Sequence, residues 1–365
     1  MRSAPSIFFL AASTLLSPTW VYAQGTQPPD LQKLIDTGHC AGCDLTGADL
    51  SGMRLMSANL SAANLRGASL RKTILFLADL SGADLRDAKV EKASLGRINL
   101  SNANLSGLDL QGARLAHANL AGARLENANL SGSMLEHADL RGANLTGANL
   151  TEAALRNSRL DGAVLTKTIL NNADLRLLDL RKVASLRESD FSDARLGKAQ
   201  LDGLDLSGND FDDADLQQAN LAGASLQKAS MVRTDLRRAD LKDVDFEDAD
   251  LRNANLKGAK MQDVRLQSAN LELAQLSGNL VGADFSNGRL ARADLSGANL
   301  KDAQFQNADL RQANFTSCNL YGADFTGANL NRATFRRANL HNAKFTGADL
   351  GGAIFEEARD APELK

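Results

Sequence analysis

From Cys43 onward a large apolar residue returns every fifth position. Leu45, Leu50, Leu55 and Leu60 begin the series, which runs with few exceptions to Leu180. Two positions earlier stands a small residue, usually alanine, as at Ala48, Ala58, Ala63 and Ala68. Between these two lies Asp or Asn, and after the large residue come two positions rich in Ser, Gly, Arg and Lys. A period of five defines no helical face, because five residues advance by roughly 500°. A plain strand fails too, since its period of two would send alternate leucines to opposite faces. The pattern predicts alanine in, Asp/Asn out, leucine in, and then a two-residue corner. Gly47, Gly52, Gly67 and Gly82, at the second corner position, suit a turn of positive φ.

The phenylalanines predict how many sides each coil has. Phe305, Phe315, Phe325, Phe335, Phe345 and Phe355 alternate with Leu310, Leu320, Leu330, Leu340 and Leu350. Fifteen residues per coil would stack every Phe on a Leu. Twenty per coil stacks Phe285, Phe305, Phe325 and Phe345 in one column and Phe315, Phe335 and Phe355 in another, so the spacing predicts four sides. Runs such as Ala293–Leu300 (Ala-Asp-Leu-Ser-Gly-Ala-Asn-Leu) resemble the pentapeptide-repeat family. The resemblance implies an all-β fold, a right-handed quadrilateral β-helix, over nearly all of the chain. About fifteen to sixteen coils at about 4.8 Å each make a rod on the order of 75 Å long. Leu180 to Leu186 is one residue too long and Leu276 to Leu280 one too short, which predicts a bulged and a tightened corner.

The flanks follow other rules. Met1-Arg2, the apolar run Ile7–Leu16, Pro18 and Val21-Tyr22-Ala23 together read as a secretory signal over residues 1–23. The run is too short to span a bilayer, which needs about 20 apolar residues, and the expected mature chain has no membrane span. Residues 24–39 read as a linker and capping helix, with Asp30 as N-cap, Leu31, Leu34 and Ile35 as its apolar face, and Gly38 closing it. The solenoid then covers 40–355, and 356–365 form a polar tail. The signal predicts export to the periplasm, or to the thylakoid lumen in a cyanobacterial source.

Composition narrows function. A formal net charge of −3 over 365 residues provides no strong field toward nucleic acid or anionic lipid. Neither a nucleophile triad nor a glycine-rich phosphate loop stands out from the repeat. No cofactor or metal is expected, and a narrow filled core predicts no pocket. Cys40 and Cys43 both fall on inward positions. An oxidising compartment favours a short-loop disulfide, which some exported family members resemble; reduced core thiols and a metal or redox role are the alternatives. Cys318 takes an alanine position. His117 and His137, twenty apart, are expected to stack on one outer face. Phe76 is the one phenylalanine after the signal that leaves the core pattern. With Met56, Ile74 and Leu77 it forms a candidate protein-contact patch, or else the seat of a local flap.

These features point to a non-enzymatic interaction scaffold whose protein partner the sequence does not name. The family's gyrase-protecting members supply the alternative of a DNA mimic, which rests on an acidic surface. Here the acid-rich stretch Asp205–Asp250 is diluted by Lys228, Arg233, Arg237, Arg238, Lys242 and Arg252. N-terminal sequencing of the exported protein is expected to begin at Gln24; a chain still starting at Met1 would overturn the signal.

Overall fold

A computed structural model describes residue 28 and residues 30–362; the proposed signal over 1–23 lies outside the described residues. The backbone climbs as a four-sided coil. Parallel single-residue rungs join positions twenty apart, from His39 with Asn59 up to Asn339 with Arg359, about sixteen coils in all. Each side is tied both upward and downward. Leu45 N–H donates to the Asn64 carbonyl at 2.8 Å, Gly47 N–H to Arg66 at 2.9 Å, and Asn64 N–H to Cys43 at 2.9 Å. At most corners a β-turn bond closes, as from Ala48 N–H to Leu45 O at 3.0 Å.

The second corner residue is left-handed whatever its identity. Gly47 has φ 67°, but Lys72 (57°), Leu77 (60°), His117 (59°) and Leu177 (65°) take the same conformation. An L-residue there costs roughly 1–2 kcal/mol, so the inter-coil bonds override local preference at many corners. The outward Asp/Asn supports the turn. Its side chain accepts the N–H of the first corner residue, as Asp44 Oδ1 does from Thr46 at 3.1 Å and Asn59 Oδ1 from Ser61 at 3.0 Å.

The inward leucines and alanines form one continuous core along the rod. Phenylalanines stack in the columns that the spacing predicts. Phe285–Phe305 and Phe305–Phe325 lie 4.9 and 4.8 Å apart and nearly parallel, as do Phe315–Phe335 at 4.9 Å. The two columns meet edge to face, with Phe305–Phe315 at 5.6 Å and 86°. Several inward hydroxyls and a thiol find backbone acceptors on a preceding coil, while Ser133 and Ser158 Oγ are buried without one. Thr73 Oγ1 donates to Leu50 O at 2.9 Å, Thr234 Oγ1 to Phe211 O at 2.8 Å, and Cys318 Sγ lies 3.0 Å from Leu295 O. Burial pushes the Cys318 thiol up to about 12, which leaves it inert.

Both count slips are absorbed at one corner. After Leu180, Ala184 stands exposed as the extra residue, and rungs there join positions twenty-one apart, such as Val164 with Ser185. After Leu276, strand β1 (Asn255–Lys260) pairs in parallel with β2 (Gln275–Asn279), and the register shifts between Lys257 and Lys260. Gly278 takes φ 105° there, and a Cβ on it would lie 3.2 Å from Ala259 O.

At the N-terminal end, helix α1 (Leu31–Thr37) buries Leu31 and Leu34 over the first coil and ends at Gly38 with φ 69°. Two details differ from expectation. Asp30 stands in the helical region and makes no side-chain cap; its Oδ2 instead accepts Asp44 N–H at 2.8 Å and ties the helix to the first coil. Ile35 is 54% exposed, so it covers nothing. At the other end the coil runs on past 355 to the rung at Arg359, with Phe345, Leu350 and Phe355 only half buried.

Arg in the first corner position forks onto the Asp two residues before it. Arg86–Asp84, Arg176–Asp174, Arg181–Asp179 and Arg311–Asp309 close at 2.6, 2.6, 2.7 and 2.7 Å. The Arg181 hydrogen bond holds the Asp179 carboxyl down to about 2, and equivalent bonds lower Asp84, Asp139, Asp174 and Asp309.

Two expected outcomes follow from this architecture. Gly278→Ala should lower stability by about 1–3 kcal/mol in a circular-dichroism melt. Gly47→Ala, at a corner with nothing within 4 Å of the added Cβ, should cost about 1 kcal/mol; equal losses would refute the tight corner. The lowered carboxylates stabilise the fold above their unfolded values and lose that contribution as pH falls through their folded ones. The melting temperature should therefore hold from about pH 7 to pH 5 and fall between about pH 4 and pH 2. A decline already complete by pH 5 would show that these forks do not matter.

Candidate functional site

The four patch residues come together on the outer surface near the N-terminal end. Met56 and Phe76 occupy the same corner position in successive coils, and Met56 is 56% exposed. Leu77, held at φ 60°, is 50% exposed, and Ile74 is half-buried. Phe76 is half-buried as well, less open than the pattern suggests. Its ring leans over Gly96 in the next coil, where an added Cβ would lie 3.3 Å from Phe76 Cδ2. The missing side chain at Gly96 makes the seat. Among the described residues no separate flap lies over Met56 or Leu77, since both remain open.

Cys40 and Cys43 lie buried beside α1 with their sulfurs at bonding distance, 2.02 Å. Their inward placement follows from the fivefold register, and a bond there would close the first corner next to the cap. His117 and His137 stack face to face at 4.8 Å and 5° on the outer surface. Among the described residues no three His, Cys, Asp or Glu side chains gather into a metal-binding group. No helix there is long and apolar enough to cross a membrane.

The wall is not unbroken, and this corrects the expectation that a filled core leaves no pocket. A groove of about 520 Å3 opens between Val90–Ser94 and Asp109–Arg114. His117 and His137 do not line it. The rungs expected between Lys89 and Asp109 and between Ser94 and Arg114 are not formed, although those on either side are. Sequence reasoning passed over this stretch because its leucines keep the fivefold count. The signal lies in the alanine column, where Leu108 stands in place of a small residue.

Much of the remaining polar surface is engaged with itself. Asn side chains form ladders up the rod, from Asn99 to Asp79 at 2.8 Å, Asn119 to Asn99 at 3.0 Å, and Asn339 through Asn319 to Asn299 at 3.1 and 2.9 Å. In the acid-rich stretch, Asp205, Asp235, Asp240, Asp245 and Asp250 pair with Arg187, Arg237, Lys260, Arg265 and Arg252 at 2.6–2.9 Å. Burial, reinforced by Asp212, Asp190 and Asp213, raises the Asp210 carboxyl.

Comparison with known proteins agrees with this geometry. The family described as pentapeptide repeats (8 copies) matches in overlapping segments from residue 39 to residue 356. HetL of the cyanobacterium Nostoc sp. strain PCC 7120, a pentapeptide repeat protein involved in heterocyst differentiation regulation, is 30% identical. That match covers 72% of this chain and 87% of HetL, with a TM-score of 0.19. Full-length QnrB1, a plasmid-mediated fluoroquinolone resistance protein, is 17% identical over 68% of this chain and 90% of its own, with a TM-score of 0.16. A thylakoid-lumen pentapeptide repeat protein of Arabidopsis thaliana is 28% identical over 34% of this chain and 68% of its own, with a TM-score of 0.13. Among curated proteins none matches. With a four-sided coil of twenty residues per turn and family matches along nearly its whole described length, the chain belongs to the pentapeptide-repeat family, whose fold is the right-handed quadrilateral β-helix.

Proposed function

We propose that this protein is a non-enzymatic interaction scaffold, exported to the periplasm or, in a cyanobacterial source, to the thylakoid lumen. The carrying observation is the apolar patch of Met56, Ile74, Phe76 and Leu77 on a rod whose polar groups are largely engaged with one another. Leu177, Met134 and Ile169 are exposed elsewhere on the rod, but exposed apolar side chains clustered in adjacent coils favour a protein contact. The export reading keeps the pair Cys40 and Cys43 in an oxidising compartment, where a bond between them persists.

The DNA-mimic alternative asks for an uncompensated acidic surface. Seven carboxylates of Asp205–Asp250, including Asp213 with Arg233, pair with basic neighbours, which dilutes the acidic field, while Asp210 and Asp212 keep a local acidic cluster.

Affinity capture from the exported compartment tests the scaffold reading. The wild-type protein should retain a defined partner, and the double variant Met56→Ser/Leu77→Asn should retain at least about tenfold less at unchanged melting temperature. Equal capture by both would remove the patch as the contact. Inhibition of gyrase supercoiling, or protection of gyrase from a quinolone, would favour the DNA mimic instead.

A further inference from the structure

The groove between Val90–Ser94 and Asp109–Arg114 is a split in the backbone ladder, and its cause can be read from the alanine column. Among the described residues four expected rungs are unformed: Lys89–Asp109, Ser94–Arg114, Arg159–Asp179 and Ser185–Asp205. Three of them involve the Asp of a Leu-Asp-Leu triplet: Leu108-Asp109-Leu110, Leu178-Asp179-Leu180 and Leu204-Asp205-Leu206. Valine or isoleucine in the same column is tolerated: Ile98, Val244 and Val264 leave the following rungs of Asn99, Asp245 and Arg265 intact. Isoleucine carries as many carbons as leucine, so the difference is one of shape: leucine branches at Cγ, one carbon further out, and reaches deeper into a corner that most often holds a methyl group. At each of the three triplets the unformed rung is the one to the preceding coil. Leu108 is itself buried, and Asn129 N–H still donates to its carbonyl at 2.9 Å, so the coil stays joined to the next one.

At Leu108 the split reaches across two rungs. The N–H groups of Val90, Lys92 and Leu95 make none of the bonds to the next coil that their counterparts Leu70, Lys72 and Leu75 make. From the other wall, Asp109 and Arg114 N–H do not reach the carbonyls of Ala88 and Ala93. Two facing strand edges are therefore left with free donors and acceptors, a state that a folded chain rarely leaves unmatched. Ala93 and Ala113, whose equivalents elsewhere are buried, are half-exposed on its floor.

We propose that this split is a binding slot for a short extended segment of a partner protein, which enters as an added strand and bonds to both walls. The proposal rests on the scaffold reading above and supplies the chemistry of its partner. An extended backbone presents N–H and C=O on both edges, the groups that the two walls lack, and because the wall turns a corner at Val90–Ala93 the slot suits a short segment. The floor of Ala93, Leu110 and Ala113 selects small aliphatic side chains on the inward face. The rim selects acidic flanks. Glu91 is paired with Arg71 at 2.9 Å, whereas among the described residues Lys89, Lys92 and Arg114 make no ion pair, so the three free cations outnumber the one unpaired carboxylate, Asp109. Ile74 lies one rung below Ser94, so the apolar patch continues to the edge of the slot.

The test uses the full chain and the capped peptide acetyl-Glu-Val-Ala-Val-Glu-amide, read by hydrogen exchange and by calorimetry. The amides of Val90, Lys92, Leu95, Asp109 and Arg114 should exchange faster than those of Leu70 and Leu75, and the peptide should slow them. N-methylation of the central alanine, or lysine in place of both glutamates, should weaken binding by about tenfold or more. Leu108→Ala should close the split, restore protection without peptide, raise the melting temperature and abolish binding. Leu178→Ala, at another triplet, should leave binding unchanged. Slow exchange of the slot amides in the free protein would overturn the proposal, because the slot would then be closed or filled by another part of this chain or a second copy. Binding unaffected by Leu108→Ala would overturn it equally. If Leu108→Ala captures the native partner as well as wild type while Met56→Ser/Leu77→Asn does not, the slot fails and the scaffold reading stands.

Discussion

The structure depends on one repeated bond, the backbone N–H that reaches the carbonyl nineteen residues further along the chain. It is made at most inward large residues, as from Leu45 to Asn64 and from Leu330 to Asp349, both at 2.8 Å, and it lapses at Val90 and Leu95 beside the split. Because each coil satisfies its donors on the next, the rod needs little regular strand and tolerates turns that are unfavourable in isolation. Lysine, arginine and leucine at φ near 60° are the visible cost. The bond also fixes the chemistry of the core. Side chains that repeat every twenty residues must fit within the rise of one coil, so phenylalanine rings lie flat on one another and alanine holds the narrow corner.

The same constraint explains the surface. Aspartate and asparagine are favoured between the two inward positions because their side chains accept the first corner N–H. Once there, they stand about one coil rise apart, which invites amide ladders and Arg forks. An acidic composition therefore becomes a nearly self-neutralised face. Function is left to the places where the rule lapses, namely the apolar corner at Met56 and Leu77 and the split at Leu108.

The four-sided coil was legible in the residues, since the phenylalanine alternation stacks like on like only at a spacing of twenty. Inward placement of Cys40, Cys43 and Cys318 was legible for the same reason. The N-terminal cap was only partly so. Leu31 and Leu34 were readable as a face, but whether Asp30 bonds its own helix or Asp44 depends on the docking angle, which no local pattern encodes. Phe76 was recognisable as an outlier, yet its tilt onto Gly96 needed knowledge of the neighbouring coil. The split was the least legible element. A count of leucines every fifth residue is blind to side-chain shape in the alanine column, and Leu108, Leu178 and Leu204 read as ordinary apolar residues until the rungs beside them are seen to be missing.

The two corner irregularities show what kind of length change this architecture absorbs. One residue added at Ala184 and one lost beside Gly278 each vanish within a single corner, and coils above and below keep their faces aligned. A whole added pentapeptide would behave differently. It would satisfy the fivefold pattern locally, yet turn everything beyond it by a quarter revolution about the rod axis and lay the first coil beyond it over new neighbours. Orientation of one end of the rod relative to the other is thus set in steps of five residues and restored only at twenty. Chain length here acts as an angular coordinate, fixing the compass bearing of any surface feature relative to the patch at Met56.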